Sequence, residues 1–210
     1  STDEYVPIKE VVLSVIDKIE AAARHKGTVT GLATGFYDLD YKTSGLQPSD
    51  QILIAARPSM GKTAFVLNLA QYMCVRNHVP TAIFSLEMSK EQLVNRILSM
   101  ESKVDSQSMR TGTLQPADWE KLIESAGVIS TAPLIIDDTP GISITELRSK
   151  CRKYKLENDL GLVIIDYLQL MTGGSRKQES RQQEISEISR SLKALAREIN
   201  APVIALSQLS

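Results

Sequence analysis

Short apolar runs alternate with longer amphipathic segments along most of the chain, from about residue 32 onward. The runs are rich in Ile and Val and are not broken by polar residues, which is typical of parallel strands buried on both faces. They predict five strands, over residues 51–56, 81–86, 134–136, 162–165 and 203–206. The amphipathic segments predict helices over residues 61–76, 90–101, 116–127, 143–156 and 180–199. This alternation predicts the fold class α/β, with a doubly wound, mostly parallel sheet.

Residues that favour helix starts stand where three of these helices are expected to begin. Ser89 with Gln92, and Ser143 with Glu146, have the spacing of a capping box, in which each side chain bonds the other residue's backbone N–H. Pro116 suits a first helical position, where its missing N–H is not needed. These signals support the predicted helix boundaries.

The first 31 residues differ from the rest and predict a helix over residues 8–26, followed by a polar tether over 26–31. Pro7 suits the helix start and Gly27 the position just past its end. The helix either packs on its own domain or docks on a neighbouring copy, and the tether favours docking. We therefore divide the chain into residues 1–31 and a main domain over residues 32–210. The apolar face of the helix carries Ile8, Val11, Val12, Val15, Ile16, Ile19, Ala22 and Ala23.

Composition narrows the class of protein. The 210 residues are 42% hydrophobic, enough for a substantial core, and the net charge of −1 gives no overall basic field for nucleic acid. Cys74 and Cys151 lack metal-site spacing and are expected to be reduced thiols of a cytoplasmic protein. The chain shows neither a signal peptide nor the ~20 apolar residues of a membrane span.

The strand over residues 51–56 leads into a loop that ends in Gly-Lys-Thr and then opens a helix. Backbone N–H groups of such a loop and the positive end of the helix converge on an anion, so the segment predicts a phosphate-binding loop rather than a chance turn. Lys62, which we expect to be exposed at the loop tip, can reach the β- and γ-phosphates, and the Thr63 hydroxyl can bind Mg²⁺. The loop residues are Ala56, Arg57, Pro58, Ser59, Met60, Gly61, Lys62 and Thr63.

Three other polar residues follow predicted strands. Asp166 ends the strand over 162–165 and is expected to face the Mg²⁺ bound by Thr63, although a strand-terminal Asp is often only a helix cap. Glu87 follows the strand over 81–86 and is expected to activate the attacking water, the alternative being a carboxylate that stabilises a helix N-terminus. Gln208 is expected to sense the γ-phosphate, and a surface glutamine is nearly as good an interpretation.

Five segments, residues 56–63, 85–89, 137–140, 164–169 and 205–210, together resemble bacterial replicative DNA helicases of the DnaB family. The resemblance runs from the N-terminal helix to the last residue and keeps the order of the motifs. The chain looks like the C-terminal RecA-like motor domain of that family, a P-loop NTPase, with its linker helix and without its collar domain. We expect part of the domain to lie beyond Ser210.

The resemblance implies a homo-hexameric ring that encircles single-stranded DNA, translocates along it and hydrolyses ATP at sites between subunits. It implies that Lys62 and Thr63 bind phosphates and Mg²⁺, that Asp166 supports the metal, that Glu87 activates water and that Gln208 senses the γ-phosphate. The linker helix would dock on the adjacent subunit. Primase and a helicase loader would be partners.

A polar stretch over residues 172–181 predicts a mobile loop. In RecA-like domains the loop after the Asp-bearing strand faces the ring channel, so Arg176, Lys177 and Arg181 are candidates for the DNA side. A solvated charged loop explains them equally well, because Glu179 and Glu184 dilute the positive charge.

Two other functions remain open at this point. A recombinase of the RecA type would share the fold, the phosphate loop and the Glu and Gln positions, and would form filaments. A nucleotide-gated ring scaffold would bind ATP without moving DNA. A small-molecule kinase is weaker, because no acceptor pocket is legible in the sequence.

Overall fold

Five parallel strands form the sheet that the apolar runs predict. The computed structural model describes residues 6–24, 45–47, 50–56, 62–171 and 178–208. The strands lie in the order β1-β5-β4-β2-β3, and all four pairings are parallel. The predicted strands are thereby confirmed, with ends that differ by one or two residues. Their bounds are β1 Gln51–Ala56, β2 Thr81–Ser85, β3 Leu134–Asp137, β4 Leu162–Asp166 and β5 Val203–Gln208.

The helices occupy the connections between strands, as the amphipathic segments predict. The helix after β1 continues as a π-helix over Ala70–Arg76, and a 3₁₀ turn over Leu168–Met171 follows β4. Two of these elements, the 3₁₀ turn and the six-residue α4, were not predicted. The helices are α1 Ile8–Arg24, α2 Lys62–Leu69, α3 Lys90–Ser102, α4 Ser106–Thr111, α5 Pro116–Ser130, α6 Ile144–Asn158 and α7 Gln178–Ile199.

The loop predicted over residues 172–181 is wrong at its end, because residues 178–181 form the first turn of α7. Gln, Glu and Arg are good helix formers, and they outweigh the polarity that indicated a loop. Residues 172–177 lie outside the described part of the chain.

The helix starts largely follow the predicted caps. Ser89 and Gln92 form the complete capping box, and Pro116 is the first residue of α5. Ser143 accepts the N–H of Glu146 at 3.1 Å. The Glu146 side chain pairs instead with Lys150, at 3.5 Å, so only half of the second predicted box forms.

The inner strands β2 and β4 are buried on both faces, which is why most of their residues are apolar. Successive strand residues point to opposite faces. Phe84 and Ile165 belong to a core cluster with residues of α6 and α7, and their neighbours Ile83 and Ile164 are also fully buried. Helical layers on both sides define the doubly wound α/β fold, and they leave the carboxyl edge of the sheet for a site.

The chain divides into two units, residues 1–47 and 48–210. The boundary predicted between residues 31 and 32 lies outside the described residues, as do residues 25–27 at the predicted helix end. Within the first unit, every described side chain of α1 through residue 20 is exposed, including the whole predicted apolar face in that range. In the part of the chain that the structure describes, no helix is both long and apolar enough to cross a membrane.

Candidate nucleotide-binding site

The carboxyl ends of four strands bring the predicted site residues to one edge of the sheet. Ala56, the last residue of β1, pairs with Gln208 at the end of β5. Ser85, the last residue of β2, pairs with Asp166 at the end of β4. The N–H of Leu86 then donates to the Asp166 carbonyl oxygen at 2.9 Å, so the chain that leads to Glu87 stays against β4.

Three charged side chains meet at this edge. Lys62 Nζ, at the start of α2, lies 2.9 Å from Glu87 Oε2 and 2.9 Å from Asp166 Oδ1. The Lys62 and Asp166 side chains are buried, whereas Glu87 is half exposed in the turn after β2. The structure therefore brings together three residues that are far apart in the sequence, and leaves one carboxylate open to solvent.

The expectation that Lys62 is exposed is wrong. The residue is 6% exposed, because its side chain lies between the ends of β2 and β4. Burial of an ammonium group is costly unless it is paired, and the two carboxylates supply that pairing.

Burial and ion pairing shift the pKa values of Lys62 and Asp166 in opposite directions. Burial lowers the pKa of Lys62, but Asp166 and Glu87 together outweigh it, so the pKa lies above its ordinary value. Burial raises the pKa of Asp166 more than Lys62 lowers it. The ammonium is thus firmly charged, and the buried carboxylate is the group that gains most from an added cation.

Tyr167 packs against the same ammonium. Lys62 Nζ lies 3.8 Å from the centre of the Tyr167 ring, a cation–π contact. The peptide bond between Asp166 and Tyr167 is cis. Tyr167 was given no role from the sequence, although it directly follows Asp166 in one of the five segments that resemble the helicase family.

The carboxylate of Asp166 fits a bound cation. Its Oδ1 atom is buried and lies 2.9 Å from Lys62 Nζ, so this oxygen already serves a cation in the structure. The described residues contain no group of three or more His, Cys, Asp or Glu side chains that could hold a metal. A cation here would have few protein ligands, which suits Mg²⁺, because Mg²⁺ keeps several of its waters.

A hydrogen bond links the ends of β4 and β5 beside the site. Gln169 Nε2, in the 3₁₀ turn, donates to Ser207 Oγ at 2.9 Å. The neighbouring Gln208 ends β5, but its side chain is not described, so its predicted contact with a γ-phosphate stays a prediction. The Gln169–Ser207 contact was not predicted, since no spacing rule joins residues so far apart.

Several predicted site residues lie outside the described part of the chain. They are Arg57, Pro58, Ser59, Met60, Gly61, Arg176 and Lys177. Thr63 is half-buried in the first turn of α2, directly after Lys62. Arg181 is exposed in the first turn of α7.

Comparison with known proteins identifies relatives over nearly the whole chain. The replicative DNA helicase DnaB of Geobacillus stearothermophilus is 54% identical over 203 residues, which are 97% of this chain and 45% of that protein. The replicative DNA helicase DnaC of Bacillus subtilis (strain 168) is 51% identical over 210 residues, all of this chain and 46% of that protein. The chain thus spans about half the length of these relatives.

Solved structures agree in fold. One ATPase domain superposes with a TM-score of 0.87 at 39% identity, covering 99% of this chain and 72% of that one. A DnaB-like replicative helicase, described together with its interactions with primase, gives a TM-score of 0.83 at 39% identity and covers 99% and 49%. The profile of the DnaB-like helicase C terminal domain matches residues 31–210. This chain therefore belongs to the family of DnaB-like helicase C-terminal domains.

Proposed function

We propose that this chain is the ATP-hydrolysing motor domain of a replicative DNA helicase. The observation that carries the proposal is the contact of Lys62 with both Glu87 and Asp166 at the carboxyl edge of the sheet. Ligands of open α/β sheets bind at that edge, and this trio supplies a phosphate-binding cation, a metal-binding carboxylate and a solvent-open base. The names of the bacterial relatives support the choice of replication over recombination.

Each residue of the trio has a distinct role in hydrolysis. Lys62 binds the β- and γ-phosphates, and the half-exposed carboxylate of Glu87 orients and deprotonates the attacking water. Gln208, which pairs with Ala56 where β1 and β5 end, senses the γ-phosphate. Thr63 and Asp166 would hold Mg²⁺, which would offset the negative charge of the phosphates.

Nucleotide binding requires the charges of the trio to rearrange. In the structure, Lys62 Nζ lies 2.9 Å from one oxygen of each of the two carboxylates. Phosphate oxygens would compete for the same ammonium and so free Glu87 toward water, and Asp166 would then be the carboxylate able to hold a divalent cation. Two carboxylates share one ammonium here, and this excess of negative charge would favour binding of a divalent cation.

We infer that the protein assembles as a homo-hexameric ring with ATP at the subunit interfaces. Single-stranded DNA is the track, with Arg176, Lys177 and Arg181 as candidate contacts. The proposed partners are primase, with which one similar structure is described, and a helicase loader.

We assign the protein to the cytoplasm, where such partners act. Cys74 and Cys151 are both free and buried, which agrees with a reducing compartment.

The rate of ATP hydrolysis with and without single-stranded DNA tests the proposed function. A motor is expected to hydrolyse ATP faster on DNA, whereas a ring scaffold or a small-molecule kinase gains nothing from it. Electron microscopy of the same samples separates closed rings from the filaments of a recombinase. Hydrolysis that is indifferent to DNA contradicts the proposal.

The proposed ring interface uses two exposed apolar surfaces. One is the apolar face of α1, with Val12 and Ile16 near its centre. The other lies on α5, where Trp119 is 54% and Ile123 71% exposed, one helical turn apart. We propose that α1 of one subunit docks on α5 of its neighbour, because exposed apolar patches of this kind are typical of interfaces.

Charges on either surface are expected to break the ring. Burial of each aliphatic side chain contributes ~1.5–3 kcal/mol, reduced by the entropy of ordering the arm. Val12→Asp with Ile16→Asp, or Ile123→Asp alone, should shift rings to folded monomers in sedimentation and lower ATP turnover. The control is Leu156→Asp, at a side chain that is 88% exposed on α6, and its rings should persist. Rings that survive the α1 substitutions, or variants that never give a folded monomer, contradict the docking proposal.

A further inference from the structure

The acidic segment at the end of β3 has no role in the proposed function. Its two carboxylates bond in different directions. Asp137 binds Lys150, with Oδ2 2.7 Å from Nζ, and its Oδ1 accepts the N–H of Thr139 at 3.0 Å. Asp138 Oδ2 instead accepts the backbone N–H of Lys90 at 2.9 Å, and Lys90 is the first residue of α3. Asp138 thus reaches across to the helix that directly follows Glu87.

Hydrogen bonds fix both ends of the Glu87 turn, by which we mean residues 86–89. At its start, Leu86 N–H donates to the Asp166 carbonyl oxygen at 2.9 Å. Across it, the Ser85 hydroxyl donates to the Met88 carbonyl oxygen at 2.8 Å. At its end, the Ser89 capping box and the bond from Lys90 to Asp138 hold the first turn of α3. The Asp138 bond ties this end of the turn to the segment that follows β3.

This backbone support matters most when nucleotide is bound. The Glu87 side chain bonds Lys62, at 2.9 Å, in the structure. In the proposed mechanism phosphate oxygens take over Lys62, so the position of Glu87 then depends on its turn. A general base must stay within hydrogen-bond reach of its water, and small displacements slow the reaction steeply.

We propose that Asp138 is a positioning residue for Glu87, acting through the start of α3. A carboxylate suits this place, because the first N–H groups of a helix lack internal partners and the helix N-terminus favours negative charge. Lys150 and Thr139 hold the neighbouring Asp137, which fixes the chain from which Asp138 extends. The inference rests on the proposed role of Glu87.

Steady-state ATP hydrolysis by variants of the purified, assembled protein tests this inference. Asp138→Ala is expected to lower kcat about tenfold, because the base is held less firmly, with KM and nucleotide affinity unchanged. Asp138→Asn keeps an oxygen that accepts the Lys90 N–H and should restore kcat to within about twofold of wild type. Should Asp138→Ala fail to fold, Asp138→Glu, which displaces the acceptor, takes its place with the same expected loss.

Asp105→Ala is the matched control. The Asp105 carboxylate accepts the Ser108 N–H at 3.0 Å at the start of α4, so its removal deletes a bond from a carboxylate to a helix N-terminus at another helix. Its kcat should equal that of wild type. Equal losses in the two variants would mean a general effect of helix capping and would overturn the inference.

A double variant separates this inference from the proposed function. If Asp138 acts through Glu87, adding Asp138→Ala to Glu87→Gln causes no further loss of kcat. Independent, multiplicative losses, or an unchanged kcat in Asp138→Ala beside a slow Glu87→Gln, overturn the positioning role alone. A Glu87→Gln variant with normal kcat overturns the proposed base and this inference with it.

Discussion

Lys62→Ala is expected to abolish ATP hydrolysis, with turnover lower by at least about 10³-fold, and to weaken nucleotide binding strongly. The Lys62 ammonium contacts both Glu87 and Asp166, the proposed base and metal ligand. No other residue of α2 is basic, so none can replace it. Turnover and the affinity for a fluorescent ATP analogue are the measurements. Lys62→Arg, which keeps the charge but not the compact ammonium, serves as the comparison and should also be slow. Turnover within about tenfold of wild type would refute the assignment.

The same substitution should lower stability in a pH-dependent way. Removing Lys62 leaves Asp166 buried without its ion-pair partner, which costs about 3 kcal/mol while the carboxylate stays charged. Without Lys62, the already raised pKa of Asp166 rises further above its unfolded value. A group of that kind favours the folded state at low pH, and this contribution is lost as pH rises through the folded pKa. The Tm difference from wild type should therefore widen as the pH is raised above the ordinary carboxyl pKa of about 4.

Glu87→Gln is expected to bind ATP normally and to hydrolyse it ~10²-fold or more slowly, the scale of a lost general base. The amide oxygen can still accept from Lys62, and the side chain is half exposed, so the fold should change little. ATP affinity and single-turnover hydrolysis are the two measurements. We expect ATP affinity to be unchanged while single-turnover hydrolysis slows, because the lost proton acceptor matters only in the chemical step.

Glu91→Gln provides the matched control for that variant. Glu91 is an exposed carboxylate in the first turn of α3, four residues beyond Glu87, and the variant should hydrolyse ATP at the wild-type rate. If Glu87→Gln loses binding and turnover equally, Glu87 is a structural carboxylate. The scaffold interpretation would then regain its place.

The sheet was predictable because its chemistry is local. Strands buried on both faces, such as β2 and β4, are mostly apolar between their ends, so each contains a short apolar run such as Leu162-Val163-Ile164-Ile165. The start of α3 was equally legible, since Ser89 and Gln92 cap it through residues three apart. The six-residue α4 could not be predicted in this way, because a helix of fewer than two turns is too short to show a helical repeat of apolar residues.

The site was predictable in its members but not in its contacts. The sheet brings Lys62, Glu87 and Asp166 to one edge, as their strand-end positions indicate. The burial of Lys62, the Tyr167 ring against it and the bond from Lys90 to Asp138 depend on how separate strands and helices pack. No spacing within the sequence encodes such distances, which is why these three features required the structure.

Strand separation on a forked DNA duplex tests the central claim most directly, since a motor must convert ATP hydrolysis into movement. The purified protein should separate the strands with ATP and Mg²⁺, while Glu87→Gln binds ATP and leaves the duplex intact. Glu91→Gln should unwind like wild type. Rapid ATP hydrolysis on the fork without strand separation, or unwinding by Glu87→Gln at the wild-type rate, would contradict the account.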